Sequence, residues 1–159
     1  MKAMTLFCAD TAGHPQNKHY PRQLGIPTAE DLAEAVRFDH VAAKYQGNVR
    51  GNANFQVSDC LVMDIDNDHS ENPEDWVFPA DLANLLPGVA LMTATSRNHM
   101  KDKGVVAARP RFHVYLPIAE TTDAKEYAGL KRLLAARFEF FDRQALDAGR
   151  FIFGTENSE

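Results

Sequence analysis

Three aspartates stand at alternate positions after an apolar run: Asp64, Asp66 and Asp68 follow residues 61–63. A carboxylate beside a buried segment is unfavourable unless something positive compensates it. Alternate side chains of a strand share a face, so Asp64 and Asp66 are expected to point the same way. Neighbouring carboxylates repel each other unless a cation lies between them, and hard divalent ions such as Mg²⁺ prefer oxygen ligands. The pattern therefore predicts a divalent-cation site, with a solvated strand end as the alternative.

A second segment, 111–117, alternates in the same way and carries different chemistry. Arg111, His113 and Tyr115 are expected on one face and apolar side chains on the other. Arginine binds phosphate through paired hydrogen bonds, and histidine can donate to a phosphate oxygen. The residues from 97 to 111 include five Lys or Arg and one acid, Asp102. This combination favours a phosphate-binding site, presented on the face opposite the apolar core.

Short polar groups follow the apolar segment 89–95. Ser96 and His99 stand there, in the sequence "TATSRNH". Hydrogen-bond donors just after a strand are a plausible cradle for a triphosphate, and an ordinary polar turn is the alternative.

The segment 138–154 offers a third carboxylate. Paired ions that catalyse displacement at phosphorus commonly take a ligand from another part of the chain. Asp142 follows an apolar run, much as Asp64 does, and Asp147 comes shortly after it. We favour Asp142 as the ligand and keep Asp147 as the second candidate. Either residue can instead form a turn or cap a helix.

The local patterns predict more strands than helices. Strands are expected at 4–9, 59–66, 89–95, 111–117 and 151–153, and helices at 28–45, from about residue 80, and at 122–138. Thr28 is the expected cap of the first helix, and a loop is expected from residue 10 to Pro27. These elements predict an α+β fold with helices on one face of a largely antiparallel sheet.

Bulk properties narrow the class of protein. The 159 residues fit a single domain over 1–159, which we expect to be the N-terminal fragment of a longer protein. The net charge of −5 argues against nucleic-acid binding over the whole surface but leaves room for a local basic groove. No stretch has membrane-spanning length and no secretory signal is evident, so we expect a cytoplasmic protein without membrane partners. Cys8 and Cys60 are expected to be buried thiols.

The order of these motifs, from about residue 50 to 154, resembles the archaeo-eukaryotic primase superfamily, the primase-polymerases of phages, plasmids and mobile elements. The resemblance implies an RNA-recognition-motif-like sheet joined to a small N-terminal α/β unit. It implies that Asp64, Asp66 and Asp142 hold two Mg²⁺ or Mn²⁺ ions and act in catalysis with His113. The implied nucleotide-binding residues are Arg50, Ser96, His99, Arg111, His113 and Arg150. One departure is that Arg111 stands where the family has serine two positions before the histidine, so His113, which we prefer, and His99 both remain candidates.

The resemblance also implies an activity and partners. The expected function is a nucleotidyltransferase that makes or extends primers on single-stranded DNA from nucleoside triphosphates. A helicase, as a downstream domain or a separate protein, is the expected partner. One alternative is a rolling-circle replication initiator, which needs two histidines around one apolar residue, whereas this chain has His113-Val114-Tyr115. The other alternative is an inactive nucleic-acid-binding module.

Overall fold

The computed structural model describes residues 3–159, and these form a mixed α+β fold, as the local patterns predict in outline. The strands are β1 (Met4–Cys8), β2 (Arg22–Ile26), β3 (His40–Val41), β4 (Lys44–Tyr45), β5 (Phe55–Ile65), β6 (Met92–Thr95) and β7 (Phe112–Thr121). The helices are α1 (Ala29–Ala35), α2 (Leu82–Leu85) and α3 (Ala124–Arg137). One sheet has the order β2-β1-β3 and the other the order β4-β5-β7-β6, and all pairs are antiparallel.

The alternation predicted for β5 and β7 is confirmed by the two buried clusters of the larger sheet. Leu61, Met63 and Ile65 belong to the cluster that contains Phe112 and residues of α2 and α3. The side chains that point to the opposite face, such as Val62 on β5 and Tyr115 on β7, belong to the cluster that contains residues of β1 and α1. The antiparallel register places Asp64 opposite His113 and Val62 opposite Tyr115.

The expectation that one face of this sheet presents its polar groups outward is wrong. Helices α2 and α3 pack on one face, but α1 and the smaller sheet cover the other. Tyr115 is 0% exposed and Arg111 only 1% exposed. The physical reason is that Cys60, Val62 and Tyr115 also make this second face apolar, so it too must be removed from water. Asp64 and His113 are partly buried polar side chains at the end of the sheet where β5 ends and β7 begins.

Helix α1 begins as predicted and ends ten residues before the predicted end at Tyr45. Thr28 caps it, since its hydroxyl accepts the Asp31 amide at 3.2 Å. Beyond it, the buried Asp39 carboxylate accepts backbone N–H groups of Gly13 (2.7 Å), His14 (2.8 Å) and Gly154 (2.7 Å). This link between distant segments holds the chain in an extended course, and residues 40–41 pair with β1 instead of continuing the helix.

Two further expectations are corrected at the margins of the smaller sheet. Strand β2 lies within the predicted loop 10–27 as an antiparallel partner of β1. Most of its residues are at least partly exposed, so it lacks the apolar pattern that marks a buried strand. The predicted strand 151–153 forms a single bridge, between Ile152 and His40.

Two further features of residues 3–159 are the helix lengths and the state of the two cysteines. Within this part of the chain, no helix has both the length and the apolar character needed to cross a membrane. Cys8 and Cys60 are free and buried, as expected. Burial raises the pKa of the Cys8 thiol to about 11.

Candidate active site

The carboxylate of Asp64 lies at the end of β5 between two basic side chains. One oxygen, Oδ1, is 3.3 Å from Nε2 of His113, its register partner on β7. The other, Oδ2, is 3.6 Å from Nη2 of Arg150. Asp64 and His113 are largely buried, whereas Arg150 is half-exposed. Three segments that are far apart in sequence therefore meet at this carboxylate.

Asp142 contacts Asp64 through its backbone. Its N–H donates to the carbonyl of Asp64 at 2.9 Å, on the side of β5 where the short strand β4 has already ended. Its side-chain oxygen Oδ1 accepts the N–H of Gln144 at 2.9 Å, which orients the carboxylate. The turn-forming role that the sequence offered as an alternative is thus present, and it occurs beside Asp64.

Asp66 lies within the electrostatic field of three other carboxylates. Burial raises the pKa of Asp66 most, and the charges of Asp64, Asp68 and Asp142 raise it further, while Lys103 opposes them. This crowding of negative charge is what a bound cation would relieve. Asp64, Asp66 and Asp142 are thus close enough for their charges to affect one another.

Asp147 lies within the electrostatic range of a buried lysine that the sequence analysis did not single out, and so does Asp64. Lys131 is 3% exposed, and burial is the main cause that lowers its pKa, against the charges of Asp64 and Asp147. Its Nζ donates to the carbonyl of Ala145 at 3.4 Å. A lysine four positions after Tyr127, on the apolar side of the predicted helix, was the available sequence signal for this buried charge.

The side chains available as ligands indicate whether a divalent cation fits this site. Within residues 3–159, no three His, Cys, Asp or Glu side chains are grouped closely enough to hold a metal ion. The oxygen-only donors and the crowded charge at Asp66 nevertheless suit the chemistry of Mg²⁺ or Mn²⁺. A cation at Asp64 would compete with Arg150 for the same carboxylate. The residues fit the ions in type and charge, and binding requires them to draw closer.

A cleft of about 340 Å³ opens beside these carboxylates. It is lined by residues 66–69 and 139–144, so Asp66 and Asp142 both border it. Its volume is within the usual range for sites that bind small molecules.

Arg111 is a buried positive charge without a counter-ion. Its Nη1 donates to the carbonyls of Asn98 (3.3 Å) and Lys101 (3.0 Å), while its Nε and Nη2 have no hydrogen-bond partner. No carboxylate within residues 3–159 lies at ion-pair distance from it. Arginine stays protonated in proteins, so this guanidinium keeps its charge and two unused donors. An anion such as a phosphate would satisfy both.

Ser96 and His99 organise the backbone around Arg111. The amide of Ser96 donates to the carbonyl of Arg111 at 2.9 Å, and its hydroxyl oxygen accepts the N–H of Asn98 at 3.3 Å. Nδ1 of His99 lies 3.2 Å from the backbone nitrogen of Arg111 and 3.1 Å from its carbonyl oxygen. Both residues thus have backbone partners, and their contact with a nucleotide stays a prediction.

Arg109 and Asn67 fasten the loop that carries Asp66, and the sequence analysis missed both. Arg109 is 0% exposed, and it reaches the carbonyl of Asn67 at 2.9 Å, Glu71 at 2.9 Å and Asp68 at 3.5 Å. The side-chain amide of Asn67 donates to the carbonyls of Val77 (2.9 Å) and Pro110 (2.8 Å). A buried arginine within a basic run has no local signature, because its partners come from another segment.

Arg50 lies at the far side of the site, against the segment that follows Asp147. Its Nη1 donates to the carbonyl of Gly149 at 2.9 Å, and its guanidinium lies over the ring of Phe151 at 4.7 Å.

Comparison with known proteins yields one similar structure. No protein-family model matches the chain, and no curated protein matches it. Among solved structures, the chain is similar to the AEP domain of the primase-polymerase (PrimPol) from Cyanophage S-2L. The identity is 16%, the match covers 96% of this chain and 72% of that one, and the TM-score is 0.45.

Proposed function

We propose that this chain is a metal-dependent nucleotidyltransferase that makes or extends a primer on single-stranded DNA from nucleoside triphosphates. The observation that carries the proposal is the convergence of Asp64 and Asp66 with Asp142, a residue from a distant segment. The motif order that resembles the archaeo-eukaryotic primases supports the same activity.

In this proposal, Asp64, Asp66 and Asp142 hold two Mg²⁺ or Mn²⁺ ions. Such ions supply charge neutralisation at the phosphates and a lowered pKa at the attacking hydroxyl. Asp66 and Asp142 would provide oxygen donors from the two segments that line the cleft. Arg150 lies 3.6 Å from the carboxylate of Asp64, and a bound ion would compete with it for this carboxylate.

The triphosphate is held by Arg111 and His113 in this proposal. The two unpartnered nitrogens of Arg111 are buried, so they would donate to phosphate oxygens only after the segment 98–101, which contacts Arg111, moves. Nε2 of His113 lies 3.3 Å from Asp64. Ser96 and His99 act by keeping the loop around Arg111 in place, and Arg50 and Arg150 add positive charge. Positioning and electrostatic stabilisation are the main requirements of phosphoryl transfer, so no general base is invoked.

A rolling-circle nuclease is disfavoured by the environment of the tyrosine in His113-Val114-Tyr115. Tyr115 is 0% exposed, and its hydroxyl lies 2.7 Å from Nε2 of His40 inside the core. A hydroxyl in that position cannot reach a DNA phosphate. This observation counts against the alternative that the sequence left open.

The test is primer synthesis by the purified protein with single-stranded DNA, nucleoside triphosphates and Mn²⁺. We expect labelled oligomers from the wild type and none from the double variant Asp64→Ala with Asp66→Ala. Asp142→Ala is expected to lose synthesis, whereas Asp147→Ala is the matched control and should retain most of it. Thermal unfolding of each variant checks that it is folded.

The outcomes separate the proposal from its rivals. Equal synthesis by the double variant would refute the assignment. A protein that binds DNA equally well with and without Mn²⁺ and makes no product would be the inactive binding module. If Asp147→Ala is inactive and Asp142→Ala active, the third carboxylate is Asp147.

A further inference from the structure

Two phenylalanines lie side by side on the segment that follows Arg150. The segment is extended, so Ile152 points inward, is 5% exposed and bridges to His40, while Phe151 and Phe153 point to the other side. Their rings are half-buried and meet edge to face, with centroids 4.8 Å apart. Phe151 also packs against the buried cluster that contains Tyr20 and Tyr45, whereas Phe153 belongs to none of the buried clusters within residues 3–159.

Each ring carries an arginine on its face. The guanidinium of Arg97 lies 3.7 Å from the centroid of Phe153, and that of Arg50 lies 4.7 Å from the centroid of Phe151. Within residues 3–159, neither arginine has a carboxylate at ion-pair distance. Two rings and two uncompensated positive charges thus form one strip, which we call the arginine–phenylalanine strip (Arg50, Phe151, Phe153 and Arg97).

The strip begins at the candidate active site. Arg150, the residue immediately before Phe151, contacts Asp64 at 3.6 Å. Arg97 follows Ser96, whose amide is bonded to the carbonyl of Arg111. A polymer bound along the strip would therefore have one end at the carboxylates. Because the net charge is −5, the attraction of an anionic strand depends on local positive charge, and the strip supplies two such charges.

We propose that the arginine–phenylalanine strip binds single-stranded nucleic acid, with bases stacked on the outer faces of the guanidinium planes that Phe151 and Phe153 support, and phosphates paired with Arg50 and Arg97. Binding of single strands without sequence preference combines this kind of aromatic platform with positive charge. A guanidinium that lies on a ring keeps its edge N–H groups available to a phosphate, as in the exposed Arg97. Arg50 offers fewer, because its Nη1 donates to the carbonyl of Gly149 and its Nε is buried. The inference rests on the proposed function, since it supplies the path of the template beside the carboxylates.

The experiment measures binding without metal or nucleotide, so it does not depend on synthesis. Fluorescence anisotropy follows a labelled oligothymidylate of about 16 nucleotides and an abasic strand of the same length. Loss of one stacked base should weaken binding by about fivefold to 150-fold. We expect Phe153→Leu, which keeps apolar volume, to lose affinity for the oligothymidylate in this range and to leave abasic binding unchanged. Phe153→Trp should retain or raise the affinity.

Charge and folding have their own controls. Arg97→Gln should weaken binding to both strands and reduce the slope of log K against log salt by about 0.7 for each phosphate that is no longer neutralised. Phe78→Leu is the matched control, since Phe78 is 46% exposed and lies outside the strip, and it should bind as the wild type does. Thermal unfolding confirms that each variant is folded.

Equal affinities of wild type, Phe151→Leu and Phe153→Leu would overturn the proposal, because the rings would then serve only to pack the chain. An equal loss on the abasic strand would also overturn it, since stacking needs a base. The proposed function fails separately. If the protein binds DNA through the strip but makes no product, this inference stands and the proposed function fails. If synthesis does not depend on the strip, the proposed function stands and this inference fails.

Discussion

Two arginines that flank Pro110 are equally buried and have opposite surroundings. Arg109 is 0% exposed and reaches two carboxylates and several carbonyls of the loop after β5. Arg111 is 1% exposed, reaches two carbonyls, and leaves two nitrogens unpartnered. Because both are permanently charged, the difference lies in what the fold supplies around them. The charge of Arg109 is paired with acids, whereas Arg111 keeps two donors without a partner.

Removal of each arginine should have unequal effects on stability. We expect Arg109→Met to lower the free energy of unfolding by about 3 kcal/mol, because its buried hydrogen bonds to carbonyls and acids are removed. Arg111→Met should cost less than about 1 kcal/mol, since the missing hydrogen bonds are offset by removal of an uncompensated buried charge. Urea unfolding of the three proteins measures both values. Equal losses would mean that Arg111 is as well satisfied as Arg109.

An anion should complete the region of Arg111 and leave that of Arg109 unaffected. Tripolyphosphate at about 100 times its dissociation constant should stabilise the wild type by about 2.7 kcal/mol, a rise in Tm of roughly 5–10 °C. Arg111→Met should abolish this shift and Arg111→Lys should retain part of it. Thermal unfolding by circular dichroism is the measurement, with Arg37→Gln as the control. A wild type without any shift would refute the assignment of Arg111 to phosphate.

His40 differs from the two buried arginines because it can become neutral by releasing its proton. Nδ1 of His40 lies 2.8 Å from the carbonyl of Phe38, so it carries the proton, and Nε2 accepts from the Tyr115 hydroxyl. Burial, aided by the nearby His113 charge, lowers the pKa of His40 to about 4, against the opposing hydrogen bond to Phe38 and the charge of Asp39.

The expected consequence is a loss of stability in mild acid. The unfolded chain, in which the pKa is the ordinary 6.5, binds the proton first, so the free energy of unfolding falls as pH drops from about 6.5 towards 4. Between pH 7 and 5 the contribution of His40 should be about 2 kcal/mol. Urea unfolding at pH 7 and at pH 5 measures the change in the free energy of unfolding. This change should be smaller in His40→Gln than in the wild type by about 2 kcal/mol. The exposed His19→Gln should match the wild type, and an unchanged dependence in His40→Gln would contradict the assignment.

The smallest effect is expected for an arginine on the surface. Arg37 lies 3.4 Å from Glu34, with side chains 51% and 73% exposed. Solvent weakens such a pair, so Arg37→Gln should change the free energy of unfolding by less than about 0.5 kcal/mol. Urea unfolding checks this, and a loss near that of Arg109→Met would show that burial does not distinguish these arginines.

Much of the strand pattern could be predicted because it is local. The alternation in β5 and β7 assigns Leu61, Met63 and Ile65 to one face and Asp64 to the other, and the buried clusters agree. Helix α3 likewise follows from periodic apolar residues. The long helix at 28–45 failed because Asp39 is held by Gly13, His14 and Gly154, which no local window contains.

The candidate site also has features that the local sequence predicts and features that depend on distant segments. The residue types at Asp64, Asp66 and His113 indicate metal and phosphate chemistry, and their functional roles stay predictions. A backbone hydrogen bond joins Asp142 to Asp64, which favours Asp142 over Asp147, and the choice of third carboxylate stays a prediction. Lys131 and Arg109 were missed because a buried charge is defined by partners from other segments.

The sequence by itself determined which side chains share a face, since alternation is a property of the extended backbone. It also determined the kinds of ligand those side chains suit, since these follow from functional groups. Only the tertiary structure decided that both faces of the larger sheet are covered, that Arg109 is paired and that Arg111 is not. These outcomes depend on burial and on the distance between charges from remote segments, and neither quantity exists until the chain has folded.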